Sequence, residues 1–134
     1  MQKGFENICI VDDDAISIFG LKRALRKFCP DCDPEPEVFE NGLDALETFE
    51  RRVEVNEELP SIIFVDLNMP VMNGWEFVED IKRDESLKHL APHIFIMSSS
   101  IDPADRNRAK ILGLEKNYLS KPVTYETLKA RFST

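Results

Sequence analysis

The sequence is short of several things, and each shortage excludes a class of function. It has no long apolar run. The longest, residues 61–65 (SIIFV) and 93–97 (HIFIM), fall far below the roughly 20 residues of a membrane span. The N-terminal MQKGFEN has no apolar segment of the signal-peptide kind. The five glycines are scattered and form no GxxxxGK, so no phosphate-cradling loop is present. Positive charge is in deficit, with 17 Lys and Arg against 25 Asp and Glu and a net charge of -8. That balance argues against a general nucleic-acid face and against a polybasic membrane surface. A cytoplasmic protein with neither nucleic acid nor membrane as partner is the expectation.

Cysteine and histidine are also sparse, at three and two. An odd cysteine count without a secretory signal predicts reduced thiols. Cys9, between Ile8 and Ile10, reads as a small buried apolar residue. Cys29-Pro30-Asp31-Cys32 is a CxxC, but it follows the helical stripe ending at Phe28. A redox CxxC wants a helix N-terminus, where the dipole lowers the thiol pKa; here the pair lies at the opposite end. A zinc site would need two more ligands, with only His89 and His93 to offer, and solvated or capping roles suit those better. The CxxC is therefore expected to be an incidental loop pair.

What remains describes one ordinary domain. The chain of 134 residues is 43% hydrophobic and 31% charged, long enough to bury a core without staples. Four runs read as strands, at 7–11, 61–65, 93–98 and 117–120, with a weaker one at 37–40. Between them lie stripes at helical spacing. They are Ile18, Leu21, Leu25 and Phe28; Leu43, Leu46, Phe49 and Val53; Phe77, Val78 and Ile81; Ala109 and Leu112; and Tyr125, Leu128 and Phe132. Asn41-Gly42 and Asn73-Gly74 open helices after turns, Asp102-Pro103 is a cap followed by proline, and Thr124 caps the last helix. Alternation of strand and helix, with continuous apolar strands, predicts an α/β fold: an open, doubly wound five-stranded parallel sheet, (βα)5 and flavodoxin-like, in three α/β/α layers. Such folds place their sites at the carboxyl ends of the strands.

The strand ends carry the chemistry. The first strand runs into Asp12-Asp13-Asp14, the third into Asp66-Leu67-Asn68-Met69-Pro70, the fourth into Ser98-Ser99-Ser100 and the fifth into Lys121-Pro122. Singly each is bland: Asp14 a helix cap, Ser98 a turn hydroxyl, Lys121 a surface charge. Together they gather carboxylates, a hydroxyl and an amine on one sheet edge. Clustered carboxylates repel, and a hard divalent cation removes that repulsion. Mg²⁺ favours one or two carboxylates with water and phosphate oxygens. A lysine suits a phosphoryl oxygen, and a carboxylate can attack phosphorus to give an aspartyl phosphate.

Val11-Asp12-Asp13, Asp66-Leu67-Asn68-Met69-Pro70 with Asn73-Gly74, Ser98, and Tyr118 with Lys121-Pro122 resemble a response-regulator receiver domain of two-component signalling. The resemblance runs from about Asn7 to Phe132. It implies that Asp66 is the phosphoacceptor, and that Asp12, Asp13, Asp66 and the backbone carbonyl of Asn68 serve Mg²⁺ (or Mn²⁺), Asp12 through a bound water. Lys121 would pair with Asp66 and then with the phosphoryl group, before a cis Pro122. Ser98, with Ser99 as the neighbouring alternative, would be the switch hydroxyl, and Tyr118 the aromatic that turns inward. The segment from Leu112 to Tyr118 is one residue longer than is usual in the family. Implied partners are a sensor histidine kinase or histidine phosphotransfer protein, and a downstream protein meeting the face of the fourth helix, fifth strand and fifth helix. Residues 1–134 would form a single receiver with no output domain, a signalling module rather than an enzyme acting on other substrates. The rival is a small haloacid-dehalogenase-like phosphatase using Asp12 of the D-x-D as nucleophile; its cap domain has no room in 134 residues. Trp75, at the start of the third helix, is expected to be partly exposed and a fluorescent reporter of the site.

Overall fold

The computed structural model describes residues 4–32 and 35–133. Five strands form one sheet: β1 (Ile8–Val11), β2 (Glu37–Phe39), β3 (Ile62–Asp66), β4 (Ile94–Ser98) and β5 (Tyr118–Ser120). All neighbours pair in parallel, in the order β2-β1-β3-β4-β5. Five helices connect and cover them: α1 (Ala15–Phe28), α2 (Gly42–Glu54), α3 (Gly74–Arg83), α4 (Pro103–Ile111) and α5 (Tyr125–Phe132). The expected doubly wound, flavodoxin-like α/β fold is what forms.

The covalent pattern explains the layers. Alternate residues of a strand face opposite sides. Ile63 and Val65 of β3, Cys9 and Val11 of β1, and Ile94 and Ile96 of β4 pack with Phe49, Phe77, Val78 and Ile81 from α2 and α3. Ile62 and Phe64, Ile8 and Ile10, and Phe95 and Met97 pack on the other face with Leu21, Leu25 and Leu128 from α1 and α5. Burial on both faces is why the central strands read as unbroken apolar runs. Each large side chain taken out of water contributes about 1.5–3 kcal/mol. β2, at the sheet edge, is only partly buried, which accounts for its weaker pattern.

Each helix start has a side-chain cap. Asp14, Asn41, Asn73, Asp102 and Thr124 accept backbone N–H groups of the first turns of α1 to α5. Asn73 and Glu76 complete a reciprocal capping box. Gly74 is required by a close approach: a Cβ there would stand 3.0 Å from the Asp66 carbonyl oxygen and 3.0 Å from the Leu67 Cα.

Three expectations are corrected. Cys29 and Cys32 are joined as a disulfide rather than held as an incidental pair of thiols. The turn that stops α1 at Cys29 closes with Cys32 N–H donating to the Cys29 carbonyl at 3.1 Å, which brings the Cα atoms to 5.4 Å. Trp75 is buried, at 4% exposure, because α3 enters against the sheet. The segments before β4 and β5 wind into 3-10 turns, Lys88–His93 and Glu115–Asn117, so β4 starts at Ile94 and β5 at Tyr118. Cys9 is buried as expected, and burial pushes its thiol pKa up. His89 and His93 are exposed. Among the described residues no helix is long and apolar enough to cross a membrane.

Candidate functional site

The strand order reverses direction at β1, which has β2 on one side and β3 on the other. A crevice forms at such a switch point, outside the carboxyl ends of the strands. Val11 and Val65 are register partners there, so the next residues, Asp12 and Asp66, emerge side by side. Asp12, Asp13 and Asp66 each offer a carboxylate oxygen within 4.8 Å of the others.

The three carboxylates differ in surroundings. Asp12 is fully buried; its N–H donates to the Phe39 carbonyl, and its Oδ1 accepts the Asp14 N–H at 3.0 Å. Asp66 is buried at the end of β3, and Asp13 is exposed at the rim. Lys121, reaching across from the end of β5, donates to Asp12 Oδ2 at 3.1 Å and to Ser17 Oγ at 3.1 Å. The same ammonium stands 3.2 Å from Asp66 Oδ1. The Lys121-Pro122 peptide is cis.

Electrostatics follow from this crowding. Burial and the Asp12 charge raise the Asp66 pKa above the ordinary carboxylate value, although Lys121 and the Asn68 backbone N–H pull the other way. Burial works against the charged form of Lys121, but Asp12 and Asp66 outweigh it and raise its pKa. Three carboxylates thus face one ammonium, leaving an excess of negative charge that suits a divalent cation. The folded state holds the Asp66 proton more tightly than the unfolded chain does. Ionised Asp66 therefore subtracts stability at every pH above its raised pKa, and that loss fades as pH falls through it. Metal-free Asp66→Asn is accordingly expected to raise Tm at pH 7, with the gain shrinking towards acid. Thermal melts of both chains at pH 4 and pH 7 in chelator check it; a lowered Tm at pH 7 would refute this electrostatic account.

The remaining sequence candidates lie around this crevice. Ser98 ends β4, is buried, and accepts the Ser100 N–H at 2.9 Å; its carbonyl accepts the Lys121 N–H at 2.8 Å. Ser99 is exposed and, with Asp14, Ser17, Lys121 and Pro122, lines an adjoining cavity of about 470 Å³. Asn68 is exposed in the β3–α3 loop, in which Val71 takes φ 70°, a strained value for a β-branched residue. Tyr118 already lies inward. Its ring stacks on Trp75 at 6.2 Å and 16°, under the Arg106 guanidinium at 5.4 Å. Its buried hydroxyl has no hydrogen-bond partner among the described residues. Arg108 covers Trp75 at 5.8 Å and bonds Glu79 of α3 at 2.8 Å, which ties α4 to α3.

Ser17 went unsingled in the sequence. Its signal was there, three residues after the cap Asp14, a spacing that places both side chains at one helix end.

An open parallel sheet whose switch-point crevice holds carboxylates bridged by one lysine defines a class of flavodoxin-like modules with an acidic site. Within that class the chain belongs to the response regulator receiver domain family, whose model matches residues 8–133. Among curated relatives it is 30% identical to the peroxide stress-activated histidine kinase mak3 of Schizosaccharomyces pombe, over 90% of this chain and 5% of that protein. It is 29% identical to protein PilG of Pseudomonas aeruginosa, over 64% of this chain and 62% of that one. The chain thus spans less than two-thirds of the length of these relatives. Among solved structures, a two-component response regulator from Cytophaga hutchinsonii superposes with TM-score 0.74 at 28% identity, covering 94% of this chain and 92% of that chain. The chemotaxis response regulator CheY4 of Vibrio cholerae gives TM-score 0.65 at 25% identity, covering 94% of each chain. The protein is a receiver module of two-component signalling.

Proposed function

We propose that this receiver accepts a phosphoryl group on Asp66 in a Mg²⁺-dependent transfer from a phosphohistidine, in the cytoplasm. The observation that supports it best is the Lys121 ammonium set between Asp12 and Asp66 at 3.1 and 3.2 Å. Asp12, Asp13, Asp66 and the Asn68 carbonyl would hold the cation. When bound, it neutralises the carboxylates and the phosphoryl oxygens that must approach them.

The chain's own groups then have distinct tasks. Asp66 attacks phosphorus in line with a carboxylate oxygen, and the histidine nitrogen leaves with its electron pair. Lys121 exchanges its Asp66 contact for a phosphoryl oxygen and stabilises the charge that builds there. Ser98, the switch hydroxyl, turns from the Ser100 N–H to donate to another phosphoryl oxygen. That change biases the α4–β5–α5 face, in which Tyr118 is packed, and the downstream protein reads the bias. Charge segregation supports a distinct face there: residues 103–134 carry seven Lys and Arg against three Asp and Glu, although the whole chain is acidic. Kinase domains in relatives such as mak3 support a histidine kinase or histidine phosphotransfer donor.

The phosphatase reading that makes Asp12 the nucleophile is disfavoured by its complete burial and its two hydrogen bonds. Labelling with acetyl phosphate and Mg²⁺ tests the assignment. An acyl phosphate, labile to hydroxylamine, is expected on the native chain and absent from Asp66→Asn. Label retained by Asp66→Asn but lost from Asp12→Asn would overturn it.

A further inference from the structure

We infer that Ser17 is a positioning residue for phosphotransfer: its hydroxyl, oriented by Asp14, holds the Lys121 ammonium over Asp66. The inference rests on Asp66 being the phosphoacceptor, and deepens that reading.

The geometry is specific. An ammonium has three N–H donors, and Lys121 meets three acceptors: Asp12 Oδ2 at 3.1 Å, Ser17 Oγ at 3.1 Å and Asp66 Oδ1 at 3.2 Å. Its donors are fully engaged, so its position is set by all three. Ser17 donates its own proton to Asp14 Oδ2 at 3.0 Å. A hydroxyl with its proton committed presents only lone pairs to Lys121, so the link from Lys121 through Ser17 to Asp14 runs one way and each bond polarises the next. Asp14 is itself fixed as the α1 cap, accepting the Ile16 N–H at 3.1 Å. The lysine head is therefore tied to the rigid start of a helix 104 residues away in sequence.

Ser17 differs in kind from the other two partners. Asp12 and Asp66 both belong to the carboxylate cluster that can hold a cation, and a bound cation would compete with Lys121 for their oxygens. Asp66 changes again when it is esterified. Ser17 stands outside the cluster, so its hold on the ammonium persists through both changes. Asp12 is fully buried, whereas Ser17 lines the cavity mouth, so Ser17 also opposes a collapse of the ammonium towards Asp12. Misplacing a catalytic charge by a fraction of an ångström to an ångström is enough to slow a transfer by one to two orders of magnitude.

The experiment follows Asp66 labelling by acetyl phosphate in saturating Mg²⁺, together with the Lys121 side-chain ammonium signal in the metal-free chain by ¹⁵N NMR. Ser17→Ala favours the helix intrinsically, so α1 is retained. It should slow labelling about tenfold, and the Mg²⁺ concentration for half-maximal rate should stay unchanged. Ser17→Thr, which keeps the hydroxyl, should label within about twofold of the native rate. In a Lys121→Ala background Ser17→Ala should have no further effect, as expected when one residue acts through the other. The Lys121 ammonium signal should be sharp in the native chain, broaden in Ser17→Ala and recover in Ser17→Thr. Native labelling by Ser17→Ala, an equal loss in both backgrounds, or an unchanged ammonium signal would each overturn the inference. If the native chain takes no label on Asp66, the phosphoacceptor reading fails instead, and the ammonium signal alone decides whether Ser17 holds Lys121.

Discussion

Lys121→Ala is expected to reduce the rate of Asp66 phosphorylation by roughly 10²–10³. It is also expected to destabilise the metal-free protein by about 3–5 kcal/mol at pH 7. Both effects have one origin. Lys121 is the cation among three carboxylates, one of them fully buried. Without it the incoming phosphoryl group loses a charge-assisted donor placed where negative charge builds. Without it Asp12 and Asp66 also lose their compensating charge while buried from solvent. The pH dependence carries the sign of the shifts. The Lys121 pKa is raised in the folded state, so its contribution is complete below the unfolded lysine value of 10.5 and is lost as pH rises through the folded value. The Asp66 pKa, already raised by burial and Asp12, rises further in the variant. The deficit should therefore shrink towards acid, as the carboxylate takes up a proton, and millimolar Mg²⁺ should recover part of it at neutral pH. Urea titrations at pH 4.5 and 7, with and without Mg²⁺, read the stability arm; single-turnover labelling reads the other. A variant as stable as the native chain at pH 7 in chelator, or one labelled within fivefold of its rate, would refute the role of the lysine as charge partner.

The same site shows how much of such a protein is legible in one dimension. Asp12 and Asp66 stand at the ends of apolar runs, and a parallel sheet with covered faces brings strand ends to one edge. Local signals were equally readable, because a cap or a turn involves residues a few positions apart: Asp14, Asn41, Asn73, Asp102 and Thr124 all cap as their positions suggest. What stayed hidden depends on segments far apart in the chain. The burial of Trp75 is decided by Tyr118, 43 residues on, and by Arg108 of α4. Asn117, a polar residue at the end of the 3-10 turn before β5, is buried because its amide donates to the carbonyls of Pro92 and Ile94 at 3.0 and 2.9 Å. The Cys29–Cys32 link was misread for a different reason. Cysteine count speaks at most to compartment, whereas the tight turn after α1 decides that these two sulfurs meet.

Phe64→Ala should cost about 3–5 kcal/mol of folding stability while leaving the chemistry of the folded fraction intact. Phe64 lies in the central strand β3, two residues before Asp66, and is fully buried. Its ring meets Phe95 of β4 at 5.8 Å and Phe132 of α5 at 6.5 Å, and Phe132 in turn meets Phe5 at 5.0 Å and Phe95 at 4.9 Å. One truncation therefore opens a cavity beneath an aromatic cluster that ties the sheet to its last helix. Packed neighbours held by a sheet on one side and a helix on the other can collapse only partly into the space, so transfer and cavity terms add. A domain with about 5–15 kcal/mol in total loses a large share of its margin. Phe64→Leu, which keeps most of the volume, should cost clearly less. Asp66 is separated from this change by direction: Phe64 faces the α1 and α5 core, Val65 faces the α2 and α3 core, and Asp66 leaves the strand end into the crevice. Its position rests on the β1 and β4 ladders, where Val65 pairs with Val11 and Asp66 with Met97. Urea melts should thus show a lower midpoint with an unchanged slope, and labelling per folded molecule should match the native chain. A loss below about 1.5 kcal/mol would show that this core repacks freely, and a labelling defect in fully folded protein would show that the sheet core and the acidic crevice are mechanically coupled.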